Sequence, residues 1–501
     1  MLFVTISQYL AIACLSVLCI WYIDHRWKRR KWYSCAKNVP GPYALPVIGA
    51  AYHFLSDPSN LMNVAMKLMD DYPDIVKFWM GSKLLYVLKN PKYIEKVISH
   101  PKALDKDFFY EQLAQLSGDG LATLGGAKWR RHRKLINSSF GQKALHSFLP
   151  IMAVRSGDLV KDLQNTVGDK IAPLYHIISR YTVELTFQTA FGVNMNLNSI
   201  EGKLDEVIDK MIELLTERIL KIWNHLDIIW YLSGKQKEFQ YYQNRLREVV
   251  NEVVKRKMEG ERSKDSETEI EVANDHENLP RSAAFLDSLM ANTDLDESEI
   301  KDEVNTFIIA ATDTTAKALT SLFAIFGIYP DIQEKVYREV IEKVGLVGDP
   351  TPEDLSQLEY TERVIKEVLR LFPPGFMISR YASGDIDIGD NITVPEGASI
   401  AIPILQIHRS GEYWEDPLKF DPDRFLPDAA KRHPLSYLGF SHGPRNCIGM
   451  RYAMLNMKLA IAMALRRLRF FSEYKSVEEI EISLTLFLKM RDGPKVWIKN
   501  R

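Results

Sequence analysis

The sequence Phe440-Ser-His-Gly-Pro-Arg-Asn-Cys-Ile-Gly449 brings a lone cysteine to the foot of Met450-Arg-Tyr-Ala-Met-Leu-Asn-Met-Lys-Leu-Ala-Ile-Ala-Met-Ala-Leu465, a run with helical periodicity. The other cysteines, Cys14, Cys19 and Cys35, cluster near the N-terminus. Four cysteines so spaced make no disulfide framework and fit a reducing compartment. A helix N-terminus offers free N–H groups and the positive end of a dipole, and both stabilise a thiolate. Gly443 and Gly449 remove side chains where backbone must approach closely. Arg445 adds a fixed positive charge beside the sulfur. The competing reading is a small buried hydrophobe in a tight turn, the usual state of a free cysteine.

Upstream, residues 406–446 are rich in Pro, Asp and Gly, and a long loop inside a compact domain is usually functional. Elsewhere helical periodicity dominates, over 140–164, 174–192, 202–220, 236–258, 294–326, 331–345, 355–371 and 448–468. Strand-like runs are short: 75–80 with 83–88, 386–394, 399–404 and the end near 481–498. The expected fold is mainly α with small β-sheets, without internal repeats. Residues 255–282 are charge-rich and poorly periodic, and read as an exposed loop. The 501 residues are 46% hydrophobic and 26% charged, an ordinary globular composition. A net charge of −1 supplies no global field for nucleic acid.

The N-terminus differs. Leu2 to Ile23 carries no charge, and about 22 helical residues span roughly 33 Å, enough to cross a hydrocarbon core. Arg26, Lys28, Arg29, Arg30 and Lys31 follow, interleaved with Trp27 and Trp32, the flank expected on the cytosolic side. No basic stretch precedes the apolar run and no clear cleavage site follows it, so an anchor is favoured over a cleaved signal. Then Pro40, Pro42 and Pro46 stiffen the chain. The expected division is an anchor over 1–24, a basic and proline-rich hinge over 25–50, and one body over 51–501.

Three further patterns stand out. Glu367-Val-Leu-Arg370 puts acid and base on one helix face, and Phe420-Asp-Pro-Asp-Arg-Phe425 supplies Arg424. Trp129-Arg-Arg-His-Arg133 sets an aromatic and a cation one turn apart. Glu303-Val-Asn-Thr-Phe-Ile-Ile-Ala-Ala-Thr-Asp-Thr-Thr315 places poor helix formers in mid-helix, where their hydroxyls can bond back to carbonyls. Such a local misfit points to function.

Together these stretches resemble the cytochrome P-450 family over residues 38–501. The cysteine loop resembles its haem-binding motif F-x-x-G-x-R-x-C-x-G at Phe440, Gly443, Arg445, Cys447 and Gly449. The resemblance implies haem b between helices I and L, with Cys447 as axial iron ligand, Phe440 beside it, and a thiolate that promotes O–O cleavage. It assigns Trp129, Arg133, Arg380 and Arg445 to the haem propionates. Asp313 and Thr314 take the role of proton relay. Glu367, Arg370 and Arg424 take a structural one. His442 departs from the usual small residue and is expected to face solvent or a redox partner.

Helix I and residues 116–134 look most like the family-4 clan, including its insect members. Ala310 stands where that clan often has a haem-linked Glu, and Ala311 stands where it has Gly. By analogy, residues 105–125, 202–235, 303–314, 374–379 and 484–489 face a hydrophobic substrate such as a fatty acid, a hormone or other lipid, or a xenobiotic. The implied setting is the endoplasmic reticulum membrane, with the body facing the cytosol. Electrons are expected from NADPH through NADPH-cytochrome P-450 reductase, with cytochrome b5 as a further partner, and no nucleic acid is expected. A reductase-independent haem-thiolate lyase or isomerase and a non-catalytic haem or ligand carrier are the alternatives.

Overall fold

The structure is a computed structural model and describes residues 2–54, 61–72, 74–194, 204–262, 285–292, 294–429, 431–483 and 485–501. The helices around the N-terminal approach and the central body include α1 (Leu2–Lys28), α2 (Arg30–Cys35), α3 (Phe108–Ser117), α4 (Gly126–Asn137), α5 (Gln142–Gln164), α6 (Leu174–Thr186), α7 (Leu204–Leu220), α8 (Lys235–Arg262), α9 (Glu297–Ile328), α10 (Glu359–Leu371) and α11 (Met450–Leu465). The main sheet has the order β1 (Ile75–Met80), β2 (Lys83–Leu88), β6 (Ser399–Ile402), β3 (Ile378–Tyr381). Pairing is antiparallel in β1–β2 and β3–β6 and parallel in β2–β6, with Leu85 opposite Ser399. Two-stranded pieces complete the β structure: β4 (Ile386–Gly389) with β5 (Ile392–Val394), β7 (Leu468–Ser472) with β10 (Val496–Asn500), and β8 (Ile482–Ser483) with β9 (Lys489–Met490). The fold is mostly helical with small sheets, as the periodicity implies.

Helix α9 organises the body. Asp296 caps it by accepting from Glu299 N at 2.8 Å, and the Glu299 side chain answers at Asp296 N. By length and composition α9 passes for a membrane span, but 83% of its most apolar window is buried inside the body. Leu319, Leu322, Phe323, Ile325 and Phe326 are fully buried against α5, α6, α10 and α11. Each such side chain stabilises the fold by about 1.5–3 kcal/mol. Helix α8 runs on to Arg262, so the expected loop over 255–282 begins as helix, and residues 263–282 lie outside the described residues. The helical pattern over 174–192 divides into α6 and a π-helical turn at Phe187–Phe191.

Beyond α1, the basic segment stays helical and docks. Trp32 Nε1 donates to Glu396 O at 2.8 Å, and the Tyr33 ring stacks on Trp79 of β1 at 4.6 Å. Lys31 pairs with Asp385 at 2.8 Å. Lys77 donates through Nζ to Ala36 O and through its backbone N to Pro40 O, each at 2.8 Å.

Candidate active site

A cavity of about 570 Å³ lies between α9 on one side and the loop ahead of α11 on the other. Cys447 sits two residues before Gly449, the N-cap of α11, and its N–H donates to Phe440 O at 2.9 Å, closing the loop. Its exposed surface opens onto this internal cavity. Burial pushes the thiol up, while the Gly449 N–H and the Arg133 charge pull it down. The cation acting on the sulfur is thus Arg133, where the sequence pointed to Arg445.

Arg445 is committed elsewhere. Its Nε donates to Leu104 O at 2.8 Å, its Nη atoms reach Leu121 O and Leu124 O, and its guanidinium lies 4.0 Å above the Trp129 ring. Arg133 donates to Asn446 O and Oδ1, both at 2.8 Å. The two come together because Asp105 Oδ1 accepts from Gly126 N at 2.6 Å, fixing the start of α4. Arg380, on β3, is 1% exposed and donates to Ser379 O, but its Nε has no hydrogen-bond partner. Trp129, Arg133, Arg380, Phe440, Arg445 and Cys447 all line the cavity.

Lys106 and Tyr110 also line it, and the motifs did not reveal them. Burial and the charges of Arg380 and Arg445 push Lys106 well down. Arg445 is itself pushed down to about 9, first by burial and then by Arg380. Like charges crowded at one edge of an apolar cavity favour an anionic ligand there. Lys106 belongs to no periodic pattern, and only its place inside 105–125 hinted at it.

On the opposite wall, Ala310, Ala311, Thr314 and Thr315 face the cavity, and Ala310 is exposed beside the buried Phe307, Ile308 and Ile309. Thr314 Oγ1 donates to Ala310 O at 2.7 Å, and Thr312 bonds back to Ile308 O, the back-bonding expected of this run. Asp313 is not brought to the cavity. It is 2% exposed, with Oδ2 accepting from Lys317 Nζ at 2.6 Å and Oδ1 from Tyr175 at 2.8 Å.

Glu367 and Arg370 are fully buried and joined through two hydrogen bonds of 2.7 and 2.8 Å. Arg424 Nε approaches Glu367 Oε1 at 3.4 Å. His442 is exposed. All five stretches expected to meet substrate contribute to the lining, through residues such as Phe109, Ile219, Phe307, Phe376 and Phe487. Phe54, Leu68, Phe78 and Val87 extend it along the N-terminal sheet, which the sequence did not anticipate.

The lining fits haem. Small side chains at Ala310 and Ala311 leave room for a flat apolar group, one sulfur faces inward, and a buried unpartnered Arg380 Nε stands among cations at one edge. The family model for cytochrome P-450 matches residues 39–496. Cytochrome P-450 4c21 of Blattella germanica is 32% identical over 472 residues, covering 93% of each chain. Cytochrome P-450 4V2 of Mus musculus is 30% identical, covering 94% of this chain and 90% of its own. A probable cytochrome P-450 313a3 of Drosophila melanogaster is 29% identical over 97% of this chain and 98% of its own. With a match of that extent around a cavity of this chemistry, the chain belongs to the cytochrome P-450 family of haem b-dependent monooxygenases.

Proposed function

We propose that this protein is a membrane-anchored haem-thiolate monooxygenase acting on a lipophilic substrate, with Cys447 as the axial ligand. The observation that carries this is the Cys447 sulfur facing Ala310 and Thr314 across one largely apolar cavity. Bound haem supplies the activation of dioxygen, from which one atom enters the substrate and one leaves as water.

This chain's residues do the rest. Arg133 supports the cysteine loop through Asn446, and its charge favours the thiolate. Arg380, Lys106, Arg133 and Arg445, with Trp129 beneath Arg445, form the edge that would hold the propionates. Thr314 presents its hydroxyl at the cavity face, and Asp313 handles protons behind it. Apolar residues from 105–125, 303–314 and 374–379 exclude water and select a fatty acid, a hormone or lipid, or a xenobiotic. Glu367, Arg370 and Arg424 brace the fold behind the cavity.

Residues 1–24 serve as the anchor; from Leu2 onward they belong to the 27-residue helix α1, on which Ile12, Leu15, Val17 and Ile20 are exposed. The basic flank favours a cytosolic body at the endoplasmic reticulum. Electrons come from NADPH through its cytochrome P-450 reductase, with cytochrome b5 as an auxiliary donor.

The carbon-monoxide difference spectrum of the reduced protein tests the assignment. A strongly red-shifted Soret band is expected, and Cys447→Ser should abolish it. A histidine-like spectrum, or an unchanged spectrum in the variant, would overturn the ligand assignment.

A further inference from the structure

Asp313 turns away from the cavity its neighbour Thr314 lines, and what it turns towards is a second, smaller cavity at the surface. That surface cavity, about 390 Å³, is lined by His176, Asp209, Lys210, Glu213, Tyr241 and Tyr242. Between it and Asp313 stands one phenol. The Tyr175 hydroxyl lies 3.2 Å from Asp209 Oδ1 and 2.8 Å from Asp313 Oδ1. The three residues come from three helices: Tyr175 from α6, Asp209 from α7 and Asp313 from α9.

A phenol carries a single proton and cannot donate fully to two carboxylates at once. The arrangement is satisfied when one carboxyl is protonated, donating to the phenol oxygen while the phenol donates onward. We infer that Tyr175 passes protons from Asp209, at the surface cavity, to Asp313 on the helix that walls the haem cavity. This rests on the reading of Asp313 and Thr314 given above.

The transfer balances. A hydronium ion from solvent at the surface cavity protonates Asp209 and leaves as water. Asp209 gives that proton to the Tyr175 oxygen as Tyr175 gives its own to Asp313 Oδ1, leaving Asp209 ionised and Tyr175 neutral. Burial and the two flanking carboxylates push the Tyr175 hydroxyl far up, so it works by exchange and never as a phenolate. Two cations flank the path without blocking it. Lys317 Nζ holds the other Asp313 oxygen at 2.6 Å, and Lys489 Nζ approaches the other Asp209 oxygen at 3.4 Å. Both carboxylates therefore keep Oδ1 for the phenol.

The test uses full-length holoenzyme with an NADPH-cytochrome P-450 reductase, following NADPH consumption, which needs no identified substrate. Cumene hydroperoxide with tetramethyl-p-phenylenediamine as reductant gives a second activity that bypasses proton supply. Tyr175→Phe and Asp209→Asn should each lower NADPH consumption about tenfold or more and raise its solvent deuterium isotope effect. The double variant should be no slower than either single by more than about twofold, as one shared route requires. Hydroperoxide activity should stay within about twofold of the parent. In the resting enzyme, without turnover, the carboxyl infrared band lost in Asp313→Asn should shift in Tyr175→Phe. The inference is overturned if that band does not move, if NADPH consumption is unchanged, or if both activities fall together. Asp313→Asn separates the failures. If it alone slows NADPH consumption, only the route through Tyr175 is wrong; if it behaves as the parent, the role of Asp313 itself is wrong.

Discussion

Arg133 sets both ends of its guanidinium on Asn446, at 2.8 Å to the carbonyl oxygen and 2.8 Å to Oδ1, one residue ahead of Cys447. The fork geometry is specific to arginine, because a lysine reaches one acceptor at a time. Arg133→Lys should keep the charge but lose the double bond, at a cost of about 1.5–3 kcal/mol in loop stability. The expected result is lower haem content in purified protein and a smaller red-shifted carbon-monoxide band. Full haem occupancy with an unchanged band would count against it.

Glu367 and Arg370 form an ion pair with no exposure at either side chain. Removing one member strands a buried charge. Glu367→Gln should destabilise the full chain by about 3–5 kcal/mol in denaturant unfolding. A loss under about 1 kcal/mol would place the pair among weak surface contacts instead.

His408 is fully buried in a single tautomer: Nδ1–H donates to Arg370 O at 3.1 Å, and Nε2 accepts from Leu438 N–H at 2.7 Å. Burial, with the nearby Arg370 charge, pushes it down to about 3. An unfolded histidine titrates near 6.5, so between those values the unfolded chain binds the extra proton. Stability is therefore full above pH 6.5 and falls as pH drops toward 3, by up to about 5 kcal/mol when fully expressed. Unfolding midpoints measured from pH 7.5 to 5 should decline, and His408→Gln should flatten the decline while lowering the neutral-pH value.

Thr314 Oγ1 is held on Ala310 O at the cavity face. Thr314→Val preserves shape and removes the hydroxyl. NADPH consumption should continue with a larger share released as hydrogen peroxide, measured against NADPH used. An unchanged peroxide share would show that the hydroxyl takes no part.

Local patterns carried far in this chain. The helices read from periodicity mostly end within a few residues of the observed ones, and β1 and β2 match the expected runs residue for residue. The cysteine loop was legible because its ring of interactions closes within ten residues, Phe440 O to Cys447 N. What the sequence left out depends on distant partners. Which way Asp313 points is decided by Tyr175, on another helix, together with Lys317 on its own. Which arginine serves the sulfur is decided by Leu104, Leu121 and Leu124, whose carbonyls claim Arg445. The share of the cavity wall built from Phe78 and Val87 depends on the parallel pairing of β2 with β6, a contact between strands that lie far apart in sequence.

The docked segment after α1 makes that helix a handle and not a leash. Trp32 and Tyr33 are bolted to the β5–β6 turn and to Trp79, so the segment that follows α1 is fixed directly to the sheet whose residues wall the cavity. Shortening the chain after Cys35 to make it easier to handle would remove more than the apolar helix. It would strip a buttress from β1, expose the Trp79 ring, and loosen one wall of the chamber that the shortened protein was made to study.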